Sequence, residues 1–183
     1  MTIRAALSAL LPLATTAMLA GATGFAHASE RDRQFFSNVE GQWSGPGEIV
    51  AGKYKGTKFT CNFTGATPDG KVGMSLDGGC RVGLFTQKMS ASVEHKGKQG
   101  YRGTFMDGAL GEGLDVIAGK VSGERVTLSL NRKQLNGAML ARLPDRDTMH
   151  VTVSVKVENQ MVPVIGMNLK RVDTRTVGSI SDR

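Results

Sequence analysis

The sequence predicts an all-β chain, an antiparallel meander that forms a calycin-like barrel or a two-sheet sandwich with a short N-terminal helical arm. Three observations predict it. Short apolar and polar alternations recur along most of its length, 24 glycines punctuate them, and beyond the arm no run keeps helical spacing. Strict alternation marks a strand with one buried and one wet face, because successive side chains point to opposite sides of a sheet.

The N-terminus reads differently. Residues 1 to 28 carry a lone charge, Arg4, then an apolar run that ends in Ala26-His27-Ala28 before polar Ser29. That is the pattern of a secretory signal peptide cleaved near Ala28, and it places the mature protein in the periplasm or outside the cell. Pro12, Thr15, Thr16, Gly21 and Gly24 dilute the run below that of a membrane span. The expected organisation is a leader over 1–28, an arm over 29–40, one β domain over 41–172 and a polar tail over 173–183.

Phe35, Phe36 and Val39 recur at helical spacing among charges in the arm, and Gly41 ends it. Alternating runs then fall at 48–51, 57–64, 71–76, 80–86, 88–94, 101–106, 114–121, 125–131, 138–143, 149–158 and 162–172. Turn residues separate them at Pro68-Asp69-Gly70, Asp77-Gly78-Gly79, Lys96-Gly97-Lys98, Ser122-Gly123-Glu124 and Glu158-Asn159-Gln160. The longest strict alternation, Met149 to Val157, faces Met161 to Leu169 across a tight turn, and Pro163 predicts an edge or a bulge there.

Cys61 and Cys80 are the only cysteines, and in an exported chain such a pair is expected to form a disulfide. A plain meander of 58–64, 71–76 and 80–86 would set them two strands apart, at ~9 Å or more, beyond the about 7 Å that a bridge spans. The two expectations conflict, and the oxidising compartment favours the bridge.

The net charge of +7 falls by one when Arg4 leaves with the leader. Lysines and arginines are dispersed among acids and aromatics are few, so no nucleic-acid partner is expected. An outer-membrane barrel fails on its faces: outward positions such as Lys58, Thr60, His150 and Thr152 are polar, and no aromatic girdles occur. The chain is therefore not expected to be an integral membrane protein.

Gly41-Gln42-Trp43, just after the arm, resembles the glycine-x-tryptophan motif of the calycins, the lipocalin and fatty-acid-binding type of barrel. The resemblance implies that Trp43 plugs one end of the barrel and is crossed by a basic side chain from the last strand, for which Arg171 has the inward parity. It covers these two ends of the chain and implies a small apolar ligand. A second resemblance, carried by the cysteines downstream of the glycine and tryptophan, is to small periplasmic inhibitors of secreted metalloproteases. It implies an arm that enters a protease cleft, although residues 29 to 33 are more charged than such an arm.

No catalytic constellation stands out. His95 lies in a turn, His150 has outward parity, and no glycine-x-serine-x-glycine elbow occurs. Asp107, Glu112 and Asp115 share a glycine-rich loop whose spacing matches no calcium loop, and the histidines lie at no zinc-ligand spacing from the cysteines. Gly45-Pro46-Gly47 reads as a turn and not as a dinucleotide site. No enzyme activity, cofactor or metal is expected.

Methionines at 74, 89, 139, 149 and 167 take inward parities, whereas Met106 and Met161 do not fit cleanly. A cavity lined by so adaptable a side chain suits varied apolar ligands. The expectation is a non-enzymatic binding protein for a small apolar or amphipathic ligand, with Phe59, Met74, Met89, Tyr101 and Phe105 lining the cavity. The alternative is a protein-binding module, either a protease inhibitor or a cell-envelope component.

Overall fold

The computed structural model describes residues 23–106 and 113–172. The leader up to residue 22, the acidic stretch 107–112 and the tail 173–183 lie outside the described residues. A helix, α1 (Thr23–Ser37), precedes ten strands: β1 (Gly41–Ile49), β2 (Lys58–Ala66), β3 (Gly73–Val82), β4 (Phe85–His95), β5 (Tyr101–Met106), β6 (Leu114–Ser122), β7 (Arg125–Arg132), β8 (Leu135–Arg142), β9 (Thr148–Val157) and β10 (Gln160–Arg171). Each strand pairs antiparallel with its sequence neighbours, and β1 pairs with β10 to close the barrel. Closure leaves no unpaired sheet edge, which excludes the sandwich.

The alternation that predicted the strands becomes the inside and outside of this wall. On β2, Cys61 is fully buried while Thr60 and Asn62 are exposed. On β9 and β10, Met149 stands opposite Leu169 and Val151 opposite Met167, all inward and buried. The register shifts between Pro163 and Ile165, so the proline sits at a bulge, the kind of place in a sheet where a residue without an N–H is tolerated.

Two expectations need correction. The runs at 71–76 and 80–86 are not two strands: Asp77-Gly78-Gly79 lies within β3, and the chain turns later, at Gly83-Leu84. A Cβ on Gly78 would come within 2.0 Å of the Asn62 carbonyl oxygen, so glycine is there for a close backbone approach, not for a turn. Gly45-Pro46-Gly47 likewise lies inside β1, which begins at Gly41 and so includes Trp43. The helix α1, Thr23–Ser37, runs through the junction expected between leader and arm.

The first of these corrections resolves the cysteine conflict. With β3 continuous, β2 and β3 are direct neighbours and Cys61 stands opposite Cys80, joined to it by a disulfide with a Cα–Cα distance of 4.0 Å.

The meander gives the barrel two unlike ends. One carries α1 and the connections from even- to odd-numbered strands; Phe35, Phe36 and Val39 fold under it and Trp43 sits 1% exposed among them. Burying each such aromatic contributes about 2–3 kcal/mol. The other end carries the loop at 50–57 and the turns at 83–84, 133–134 and 158–159, with no helix across it among the described residues.

Candidate functional site: a cavity below the open end

The interior is filled unevenly. Towards the helix, Val93, Val126, Leu128, Met149 and Leu169 pack almost without exposure, leaving a remnant of about 40 Å³ bordered by Met74, Leu76 and Phe35. Towards the open end the space enlarges to a cavity of about 390 Å³ bordered by Ile49 of β1 and by Leu135 and Gly137 of β8. Gly47 is buried, and a Cβ there would lie 2.2 Å from the Phe59 ring and 2.9 Å from the Met167 side chain. Phe59 therefore leans against bare backbone, and the ring forms wall instead of filling the lumen.

The cavity is bounded mainly by apolar groups, among them Phe59, Met89, Phe105, Leu130, Val153 and Ile165, with Gln87, Ser154 and Arg132 as the polar side chains on its border. The Arg132 Nε donates to the Gly113 carbonyl at 3.2 Å. Cys80 also borders it, so the disulfide is part of the lumen wall.

Of the residues expected to line a cavity, Phe59, Met89 and Phe105 border the larger one, and Met74 borders the remnant beneath. Tyr101 borders neither. It is buried at the helix end with its ring 5.5 Å from that of Phe36 and 5.0 Å from that of His95. Its hydroxyl donates to Asp32 of α1 at 2.5 Å. Burial, and then the adjoining Asp32 carboxylate, push the phenol well above its usual pKa. Gly119 faces the ring: a Cβ there would meet the Tyr101 side chain at 2.8 Å.

Trp43 and Arg171 meet across the β1–β10 seam. The guanidinium lies 4.3 Å from the centre of the indole ring, and the indole N–H donates to the Val39 carbonyl at 2.8 Å. Arg171 also donates to the carbonyls of Asn38 and Arg146, at 2.8 Å each, and to that of Glu40. Its Nε lies 3.5 Å from the Asp147 carboxylate. One planar cation thus joins the end of α1, the β8–β9 loop and the last strand.

Among the described residues, titratable groups do not converge in the cavity. Glu94 is held below the usual carboxylate range, first by Lys96 and then by Lys71, at the helix end. Hydrogen bonds from the Asp147 backbone lower Asp145 in the β8–β9 loop. His150 faces outward, 2.6 Å from the Asn168 side chain. Among the described residues no trio of histidine, cysteine or acidic side chains could hold a metal ion. No described helix is long and apolar enough to cross a membrane.

The sequence did not reveal Gly137, Gln87 or Ser154 as cavity residues. Their only signal is position on a strand, and the parity of Ser154 is that of the wet face.

No protein-family model matches the chain, and no curated protein matches it significantly. Among solved structures, the crystal structure of Rv2717c from M. tuberculosis matches with a TM-score of 0.55 and 14% identity, over 78% of this chain and 98% of that one. At that identity the likeness shows a shared barrel fold and nothing about ligand or activity.

Proposed function

We propose that the protein is a non-enzymatic binding protein for a small apolar or amphipathic molecule, held in the cavity below the open end of the barrel. The observation that carries this is the cavity itself: about 390 Å³ of mostly apolar lining, within the range of small-molecule sites. Apolar walls favour an aliphatic or aromatic body, and the few polar groups on the border suit a modest polar end near the mouth. The Arg171 and Trp43 stack at the opposite end supports the calycin-like reading, in which one end is sealed and the other admits ligand. The disulfide, between directly opposed residues, supports an extracellular or periplasmic setting.

Native mass spectrometry after mild purification tests the reading. Bound lipid-like mass that organic extraction removes is the expected result. A barrel that carries none, and that then fails to enhance the fluorescence of a naphthalene-sulfonate probe or of a fluorescent fatty acid, would overturn it.

A further inference from the structure

Large apolar side chains on the surface are not scattered. The most exposed, Leu84 at 98%, Phe85 at 83% and Tyr54 at 63%, stand at the open end, where Leu135, Val157 and Met161 join them from the other turns. Of the exposed large apolar side chains among the described residues, only Ile117, Leu140 and Val172 lie away from this rim. Leucine and phenylalanine at a two-residue turn need no apolar character to make the turn. A grouped apolar rim of this kind marks a contact surface.

Among the described residues the same rim is rich in cations. Tyr54 stands between Lys53 and Lys55 in a loop bracketed by Gly52 and Gly56 at positive φ, with open space around both glycines. Lys58 opens β2, Arg81 precedes the Leu84 turn, and Lys156 precedes the Glu158 turn; all are exposed. Glu48, Asp115 and Glu158 are the acids described near this end. At the helix end Lys71 and Lys96 pair with Glu94, and Arg171 with Asp147, while Lys98, Arg125, Arg142 and Arg146 are exposed there too, so the open end is set apart by its apolar tips together with cations and not by charge alone.

We infer that the open end of the barrel docks on an anionic phospholipid surface, with Leu84, Phe85 and Tyr54 entering the interfacial layer and the surrounding lysines resting against headgroup phosphates. Apolar tips on tight turns with a collar of cations match the two parts of such a surface, a shallow apolar layer beneath a negative plane. A tyrosine between two lysines suits that boundary, since its ring is apolar and its hydroxyl and neighbours are wet. A protein partner would present one fixed complement. Here the apolar groups are instead spread around a ring on separate turns, as a fluid, laterally uniform surface permits. The mouth of the cavity would then face the bilayer. The docking surface itself lies on the outside of the barrel and does not depend on whether the cavity is occupied.

Flotation of the full chain with vesicles tests this. The protein should float with vesicles of phosphatidylcholine mixed with phosphatidylglycerol, float less with phosphatidylcholine alone, and lose binding as salt screens the lysines. Replacing Leu84 and Phe85 together by serine should weaken vesicle affinity about tenfold or more without moving the unfolding midpoint, because both side chains already lie in water. Lys53→Glu with Lys55→Glu should abolish the preference for the anionic vesicles. Absence of flotation with anionic vesicles, or flotation that both double variants retain, would overturn the inference. So would a dimer in sedimentation that the serine variant dissolves, since the rim would then be covered by a second copy. Ligand in the purified protein without vesicle binding would leave the binding function standing and remove this one.

Discussion

The guanidinium of Arg171, on the last strand, lies 4.3 Å over the indole ring of Trp43, on the first. Cation and ring are both held from behind by hydrogen bonds to the segment that ends α1, at Asn38, Glu40 and Val39. Arg171→Met keeps the length of the side chain and removes the cation and all its donors. It should cost about 2–4 kcal/mol in urea unfolding. Arg171→Lys should recover less than half, since an ammonium cannot reach carbonyls of two segments from one plane.

Tyr101 makes stability depend on pH at the alkaline end. Its phenol titrates above the ordinary value of 10.0 in the folded protein and at that value in the unfolded chain. The folded state therefore holds the proton more tightly. The contribution is fully present below pH 10.0 and is lost as pH rises through the higher folded value. Tyr101→Phe should cost about 1.5 kcal/mol near neutrality through loss of the bond to Asp32. It should also flatten the fall in unfolding midpoint that the parent protein shows at alkaline pH. Parallel curves for the two proteins would refute the assignment.

Gly47 stands behind the Phe59 ring, which borders the cavity. Alanine there collides with the Phe59 ring and the Met167 side chain, and a ring displaced into the lumen narrows it. Gly47→Ala should cost about 1–3 kcal/mol of stability. Its barrel should bind a fluorescent apolar probe several-fold more weakly, whereas Gly52→Ala, in the open 50–57 loop, should leave probe binding unchanged. Equal probe affinity in the parent and Gly47→Ala would mean that Phe59 does not bound the binding space.

The bridge between Cys61 and Cys80 ties adjacent strands. Its removal, as Cys61→Ala with Cys80→Ala, should lower stability by about 3 kcal/mol, the value for a loop of this order of length. Mass analysis of the unreduced protein should show both thiols closed to alkylation. Two alkyl adducts without reductant would refute the bridge.

The strands were legible where side chains alternate and opaque where the backbone decides. Met149 to Val157 declared its inward face outright, because burial of one face is written in every second residue. Gly78 and Gly47 misled because glycine serves both turns and close backbone approaches, and the neighbour that requires it is remote in sequence: the Asn62 carbonyl for one, the Phe59 ring for the other. Tyr101 misled in another way. Its parity is inward, but strand parity gives the face and not the height along the barrel, and its height places it against α1 instead of in the lumen. The inward methionines hinted at a cavity, but its height in the barrel had no linear signature, since it arises where Gly137 of β8 meets the apolar side chains of other strands.

The seam between β1 and β10 has a consequence for how the chain reaches this state. Every other pairing in the barrel joins consecutive strands, so those contacts can zip from local hairpins with small loop-closure entropy. The seam alone must bring together the two ends of the β domain. Until β10 arrives, the growing sheet has a raw edge at β1 that is free to pair with any other extended chain. A chain synthesised from its N-terminus therefore passes most of its elongation as an unclosed ribbon. Arg171, as the last side chain of the last strand, is the group whose arrival ends that exposure.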